Sequence, residues 1–225
     1  IKVSVVIPTY NRFKYLLNTI QSVKEQTHNN IEIIVVNDCS TEKDYYDYDW
    51  TNNNINIIHL QENSKTKFGF ACPGGYQRNF GIKEASGDYI AFCDDDDIWF
   101  PEKIKLQLKA MIQHNCKMSC TDGLIGNGIY DKTKKYKKYN KEHYFNILKN
   151  IYKKRGSSSM DNGFPLIWDS EFFKIHNCAI CSSVIIKKDI IDQVGEFIVA
   201  RNSEDYEYWR RTCLLYTSDA ADETC

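Results

Sequence analysis

Gly87-Asp88-Tyr89-Ile90-Ala91-Phe92-Cys93-Asp94-Asp95-Asp96-Asp97-Ile98-Trp99-Phe100-Pro101 sets the frame for the rest of this 225-residue chain. The apolar run 89–93 has strand character and ends abruptly in four consecutive carboxylates, which places them at the carboxyl end of a buried strand. Four like charges there repel one another and need compensation. A divalent cation suits them, because a hard ion such as Mg²⁺ or Mn²⁺ prefers carboxylate and phosphate oxygens. A solvated acidic loop ahead of a helix is the alternative, since Asp near a helix start favours the backbone dipole.

The start of the chain follows the same plan. Residues 3–7 form a β-branched run expected to stop at Pro8, as a central strand does. After the polar turn Thr9-Tyr10-Asn11-Arg12, Phe13, Leu16, Leu17, Ile20 and Val23 recur at helical spacing to about residue 26. Residues 31–36 read as a second strand, ending in Asn37-Asp38-Cys39-Ser40-Thr41. Strand, helix, strand implies a parallel pair, and ligands of such sheets bind beyond the carboxyl ends of the strands. Residues 9–12 and 37–41 are therefore expected to face one crevice, with Asp38 as its candidate residue or, alternatively, a helix cap.

Residues 55–60 give a third strand, and Gly74-Gly75-Tyr76-Gln77-Arg78-Asn79-Phe80-Gly81 a glycine-bounded turn into a helix. Arg78 in the first turn opposes the helix dipole, which points to an anionic partner or to an ordinary surface ion pair. Past the acidic cluster, Pro101 should open a helix whose buried face is Ile104, Leu108, Met111 and Ile112. Strands are expected at 117–121 and 178–186, then a helix over 189–194 stopped by Gly195, and a final helix opened by Glu204-Asp205 with Tyr206 and Trp209 as core anchors. The fold class is α/β.

A net charge of −1 gives no global argument for a nucleic-acid partner, and none is expected. Charge is uneven, however: residues 132–155 carry ten Lys or Arg against Glu142 alone, leaving 19 basic and 29 acidic residues elsewhere. Such a segment suits a local anionic partner such as an anionic membrane surface, or it is a solvated charge run. Nine irregularly spaced cysteines and no secretory signal at the start point to reduced thiols and a cytoplasmic location, with peripheral contact at the inner face of the membrane. Cys178 and Cys181, three apart on the expected strand, would face opposite sides and not share a metal. No run approaches the ~18 apolar residues of a membrane span. Residues 214–225 fit no preceding pattern, resemble a translated sequencing-library adapter, and are expected to be a non-native tail.

Taken in order, Val3-Ser4-Val5-Val6-Ile7-Pro8-Thr9-Tyr10-Asn11-Arg12, Val35-Val36-Asn37-Asp38-Cys39-Ser40, Arg78-Asn79-Phe80-Gly81, Asp94 to Asp97, and Glu204-Asp205 resemble the successive motifs of family 2 glycosyltransferases of GT-A fold. The resemblance implies a Rossmann-like, mostly parallel sheet flanked by helices, with a smaller acceptor-side region. Residues 1–121 would form the nucleotide-sugar half, and residues 122–211 the acceptor-side half, with a variable basic insertion at about 131–160. It implies an inverting hexosyl- or N-acetylhexosaminyltransferase of bacterial polysaccharide synthesis. The donor would be a nucleotide-sugar, by default a UDP-sugar, and the acceptor a glycan or lipid-linked hydroxyl. By the same resemblance Asp38 recognises the base, Pro8, Thr9, Tyr10 and Arg12 border its pocket, and Arg78 contacts the nucleotide. Asp96 would bind Mn²⁺ or Mg²⁺ directly, with Asp94 or Asp95 on the ribose or a metal-bound water and Asp94 as the second metal-side carboxylate. The general base would be Asp205, supported by Glu204. A non-catalytic nucleotide- or polyanion-binding module of the same fold is the alternative.

Overall fold

A computed structural model of the chain describes residues 1–140 and 144–219, with residues 216–219 by backbone alone. Lys141 to His143 of the basic insertion, and residues 220–225 of the expected tail, lie outside the described residues.

The elements run β1 Val3–Thr9, α1 Phe13–Lys24, β2 Ile31–Asn37, α2 Asp44–Asp47, β3 Ile55–His59, α3 Ser64–Phe68, α4 Gly75–Glu84, β4 Tyr89–Phe92 and α5 Lys103–Gln113. They continue with β5 Met118–Ser119, β6 Leu124–Ile125, β7 Lys137–Lys138, α6 Phe145–Lys154, α7 Ser170–Phe173, β8 Ile185–Lys187, α8 Lys188–Val194 and α9 Glu204–Asp219. Among the described residues the main sheet has six strands in the order β3-β2-β1-β4-β8-β5, and β6 pairs with β7 in a separate hairpin. Strands β3, β2, β1 and β4 are mutually parallel, whereas β8 is antiparallel to both of its neighbours.

The two-residue period of the strands sorts their side chains onto two covered faces. Val3, Val5, Ile7, Ile33, Val35, Tyr89 and Ala91 pack on one side with Leu16, Ile20 and Val23 of α1 and Ile104, Leu108 and Met111 of α5. Val6, Ile34, Val36, Ile90 and Phe92 pack on the other with Ile190 and Ile191 of α8 and Tyr208 and Trp209 of α9. Helix α4 lies so close to β1 that a Cβ on Gly81 would stand 2.4 Å from Val6 Cγ1, which explains a glycine in mid-helix despite its cost of about 1 kcal/mol there.

Several expectations need correction. Pro8 does not end β1 but pairs with Val36 inside it. The backbone of Val6 faces β4, accepting from Cys93 N–H, and Pro8, two residues on, faces the same side beyond the last β4 pair, so its missing N–H costs no ladder bond. The apolar stretch 178–186 is not one strand: Cys181–Ser183 form a 3-10 turn and the strand itself is Ile185–Lys187. The opposite-face argument for Cys178 and Cys181 therefore lapses. Pro101 lies ahead of α5 rather than in its first turn, Ile112 is 61% exposed, and the strand expected at 117–121 has shrunk to two residues. The segment after residue 121, which lacks clear periodicity in sequence, contains the β6-β7 hairpin and α6, and Leu148, Met160, Phe172 and Cys178 give it a small core of its own. Among the described residues no helix is long and apolar enough to cross a membrane.

Opposite the carboxyl ends of the strands, Glu32 stitches β1, β2 and the approach to β4 together. Its carboxylate accepts from Ser4 Oγ at 2.5 Å, Ser86 N at 3.0 Å, Ser86 Oγ at 2.8 Å and Lys2 Nζ at 3.0 Å. Burial opposes the charge, but these donors outweigh it and hold Glu32 down at about 2. Because that lies below the unfolded value of about 4.3, the stabilisation is present above that pH and is lost as pH falls towards the folded value. Glu32→Gln should therefore cost about 1–2 kcal/mol near neutrality, after discounting for solvent screening. The difference from wild type in urea unfolding should narrow as pH falls below about 4 and close near the folded value of about 2; a difference independent of pH would refute this account of the stitch.

Candidate functional site

The carboxyl ends of β1, β2 and β4 bring the expected loops together. Asn11, at φ 50°, bridges the first two: its backbone N–H donates to Ser40 Oγ at 2.9 Å and its Oδ1 accepts from Thr41 N at 2.8 Å. Glu42 accepts from Phe13 N at 3.0 Å and so satisfies a free donor at the start of α1. Residues 9–12 and 37–41 thus form one wall. Tyr10 is 44% exposed on it, while Thr9 is buried.

Asp38 is 5% exposed, and its carboxylate is turned towards the start of α3. It accepts from Ser64 N at 2.9 Å, Ser64 Oγ at 2.7 Å and Asn63 Nδ2 at 3.0 Å, and Gln77 of α4 donates to the same Ser64 hydroxyl at 2.9 Å. The N-cap of α3 is Asn63, whose Oδ1 accepts from Lys65 N at 3.0 Å, and Asp38 satisfies the free N–H of Ser64 beside it from 26 positions earlier in the chain.

Past the end of β4 the acidic cluster turns back on itself, Asp97 N donating to Asp94 O at 3.2 Å, and the turn separates its members. Asp94 and Asp96 keep 38% and 46% of their side-chain surface, whereas Asp95 keeps 8%. Asp95 accepts from Thr9 Oγ1 at 2.7 Å and Arg12 Nη1 at 3.3 Å. Since Thr9 gives its proton to Asp95, the Tyr45 hydroxyl must donate to Thr9 Oγ1, 2.6 Å away, leaving the Tyr45 oxygen to accept from Arg12 N at 3.0 Å. Burial pushes Asp95 up to about 6, and Thr9 and Arg12 offset that only in part. Burial likewise raises Asp97, against its hydrogen bond with Ser182.

Two guanidiniums compensate the cluster. Arg12 Nη1 lies 2.7 Å from Asp96, and Arg78 Nη2 lies 2.5 Å from Asp94. Arg78, 2% exposed, also sets Nη1 3.5 Å from Glu204, which is equally buried at the start of α9. The anionic partner implied by the odd placement of Arg78 on its helix is thus supplied by the protein itself. Burial raises Glu204, opposed by its backbone N–H and by Arg78. Its neighbour Asp205 is half-buried, accepting from Tyr206 N at 2.6 Å and Asn177 Nδ2 at 3.3 Å. Tyr45, Ser64 and Asn177 escaped the sequence reading, because hydroxyl and amide residues carry no spacing signal of their own.

Among the described residues no three His, Cys, Asp or Glu side chains converge as a ready-made metal cage. Asp94 and Asp96 nonetheless fit a hard divalent cation of the Mg²⁺ type, which takes one or two carboxylates and draws its remaining oxygens from phosphate and water. A separate apolar cavity of about 360 Å³, lined by Met111, Met118, Phe164, Trp168, Phe173 and Cys213 among others, includes none of the candidate site residues.

The family model described as "Glycosyl transferase family 2" matches residues 4–190, a span that stops short of Glu204 and Asp205. Among curated proteins, an uncharacterized glycosyltransferase of Rickettsia typhi is 35% identical over 92% of the chain, and the putative teichuronic acid biosynthesis glycosyltransferase TuaG of Bacillus subtilis is 38% identical over 53% of it. Among solved structures, S. aureus TarS 1–349 in complex with UDP-GlcNAc superposes with a TM-score of 0.64 at 21% identity over 95% of the chain. The mannosyltransferase PcManGT from Pyrobaculum calidifontis, in complex with GDP-Man and Mn²⁺, gives 0.63 at 14% identity over the same share. The chain spans 57% of the Rickettsia typhi protein, 45% of TuaG, 54% of that TarS chain and 52% of the PcManGT chain.

The energetic role of the buried guanidinium is open to direct measurement. Arg78→Met removes the cation while leaving Glu204 buried, and should cost about 3 kcal/mol, the lower end for breaking a buried ion pair. Urea denaturation checks this, and a loss under about 1 kcal/mol would show that Glu204 relaxes into water or takes up a proton at little cost.

Proposed function

The chain belongs to glycosyl transferase family 2, and from that premise we propose that it moves a sugar from a nucleotide-diphosphate donor, by preference a UDP-sugar, to a hydroxyl of a glycan or lipid-linked acceptor. The observation that carries the proposal is the chain of contacts Asp94–Arg78–Glu204, which ties the end of β4 to the first turn of α9 and so supports a reading in which the metal-side carboxylates and the base beside Glu204 act together. The complexes of TarS with UDP-GlcNAc and of PcManGT with GDP-Man and Mn²⁺ support a nucleotide-sugar donor and a divalent metal. Residues 1–121 would be the donor half and residues 122–211 the acceptor half.

The donor base would lie against the wall of Pro8, Thr9, Tyr10 and Asp38. Asp96 and Asp94 would hold Mn²⁺ or Mg²⁺, which when bound would offset charge developing on the departing diphosphate. Asp95, committed to Thr9 and Arg12, acts by holding that wall in place. An acceptor hydroxyl is a poor nucleophile near neutral pH, and Asp205 would take its proton as the oxygen attacks the anomeric carbon. One displacement by one base inverts the anomeric centre and requires no covalent enzyme intermediate.

The basic surface of the hairpin and α6 is the proposed contact with an anionic membrane. Leu124, Ile125 and Ile147 stand exposed there among the lysines, so apolar insertion could add to charge attraction. Cosedimentation with phosphatidylserine liposomes should fall when Lys134, Lys135, Lys137 and Lys138 are changed to Gln, and unchanged sedimentation would leave the segment a solvated face.

Calorimetry with a panel of sugar nucleotides, with and without Mn²⁺, tests the donor half. Binding should depend on the metal in wild type and lose that dependence in Asp96→Ala. Asp205→Asn should keep donor binding and drop transfer by about 10²–10⁴-fold. Full turnover in Asp205→Asn would reject it as the base, and donor binding without turnover by the wild-type chain on any glycan tested would favour a non-catalytic nucleotide-binding module.

A further inference from the structure

Two successive glycines at the start of α4 leave a cradle that two charged side chains fill. Gly74 adopts φ 109°, and a Cβ there would stand 2.9 Å from Arg78 Nη1; a Cβ on Gly75 would stand 2.5 Å from Glu204 Cγ. The missing side chains let a carboxylate at the beginning of α9 reach a guanidinium 126 positions earlier in the chain.

The contact is graded from interior to surface. Arg78 and Glu204 keep 2% and 4% of their side-chain surface, while Asp94 keeps 38% and faces the site. Arg78 Nε is buried without a hydrogen-bond partner among the described residues, so the guanidinium meets its carboxylates through Nη1 and Nη2. In a dry environment Coulomb interactions are weakly screened, and a cation shared by two carboxylates binds the second more firmly once the first loses its charge. Glu204 thus sets how much of the Arg78 charge falls on Asp94. It also anchors the turn from which Asp205 projects.

We infer that Glu204 is a positioning residue that couples the two halves of the site: through Arg78 it keeps Asp94 available to a cation, and through the first turn of α9 it fixes where the Asp205 carboxylate stands. This rests on the proposed function, in which Asp94 lies on the metal side and Asp205 on the acceptor side. It differs from a role as accessory base, for which a carboxylate sealed behind Arg78 is badly placed.

The test is Mn²⁺ binding by the full chain without donor, followed by electron paramagnetic resonance of the free ion, with circular dichroism and thermal unfolding to confirm that each variant is folded. Glu204→Gln should weaken Mn²⁺ binding about five- to tenfold, the scale of a neighbouring-charge effect on a carboxylate. Glu204→Asp, which restores the charge, should recover part of that loss. Asp205→Asn removes an adjacent charge that does not touch Arg78, and should leave the affinity within about twofold. Gly75→Ala should weaken Mn²⁺ binding in the wild-type background yet add far less in Glu204→Ala, where the obstructing Cγ is gone and only the 3.2 Å approach to Phe197 Cβ remains. Equal affinities for wild type and Glu204→Gln, or additive effects of Gly75→Ala and Glu204→Ala, would overturn the inference. If Gly75→Ala does not fold, the contrast between Glu204→Gln and Asp205→Asn decides alone. A wild-type chain that binds no Mn²⁺ at all would overturn the metal-assisted function and this inference together, whereas Mn²⁺ binding insensitive to Glu204 sinks the inference only.

Discussion

Negative charge at the end of β4 is the constraint around which the site is arranged. Four adjacent carboxylates cannot all ionise at the rim of an apolar core without compensation. The turn after β4 reduces the problem first, leaving Asp94 and Asp96 partly open to solvent and Asp95 to be satisfied inside. Two arginines then divide the remainder, one from the loop after β1 and one from the first turn of α4. Each arrives with a second commitment: Arg12 with Tyr45 through its backbone N–H, and Arg78 with Glu204. Neutralising the strand end therefore also fixes the loop before α1 and the start of α9.

Charge is handled differently at β2. Asp38 has no basic partner among the described contacts, and instead accepts three hydrogen bonds from Asn63 and Ser64 at the start of α3. Oriented backbone and hydroxyl donors hold a carboxylate in one geometry without a second ion, a form of preorganisation that costs little at the moment of binding. One wall of the crevice is thus set by neutral donors, whereas the floor beside it is set by guanidiniums.

Much of this was legible in the sequence because it is written in short-range periodicity. The β-branched runs of β1, β2 and β4 and the apolar spacing of α1 identify an α/β domain, and the polar residues that end those runs identify its working edge. The stretch 178–186 misled because it is apolar throughout. Ser182 and Ser183 interrupt it by bonding Asp94 N and Ile180 O, an alternative that short hydroxyl side chains offer the backbone and that hydropathy does not register. Ile112 misled in the opposite way, since a helix at a domain edge can leave an apolar residue in water at modest cost. The pairing of Arg78 with Glu204 depends on tertiary contact across most of the chain, and no local pattern announces it.

The place of β8 bears on how this chain can vary. It is the strand that joins β4 to β5, yet it is made only after the hairpin, α6 and α7 have been traversed. The detour is closed at its base by antiparallel pairs with Ala91 and Ser119, both to Ile185. Loop-closure entropy grows only with the logarithm of length, about 0.6 kcal/mol for each doubling. Residues could therefore be gained or lost between β5 and β8 at little thermodynamic expense to the sheet. Descendants of such a gene would be free to rebuild the stretch between β5 and β8, with its basic and aromatic surface, while the loops at the carboxyl ends of β1, β2 and β4 stayed as they were, so that one face could change without refolding the other.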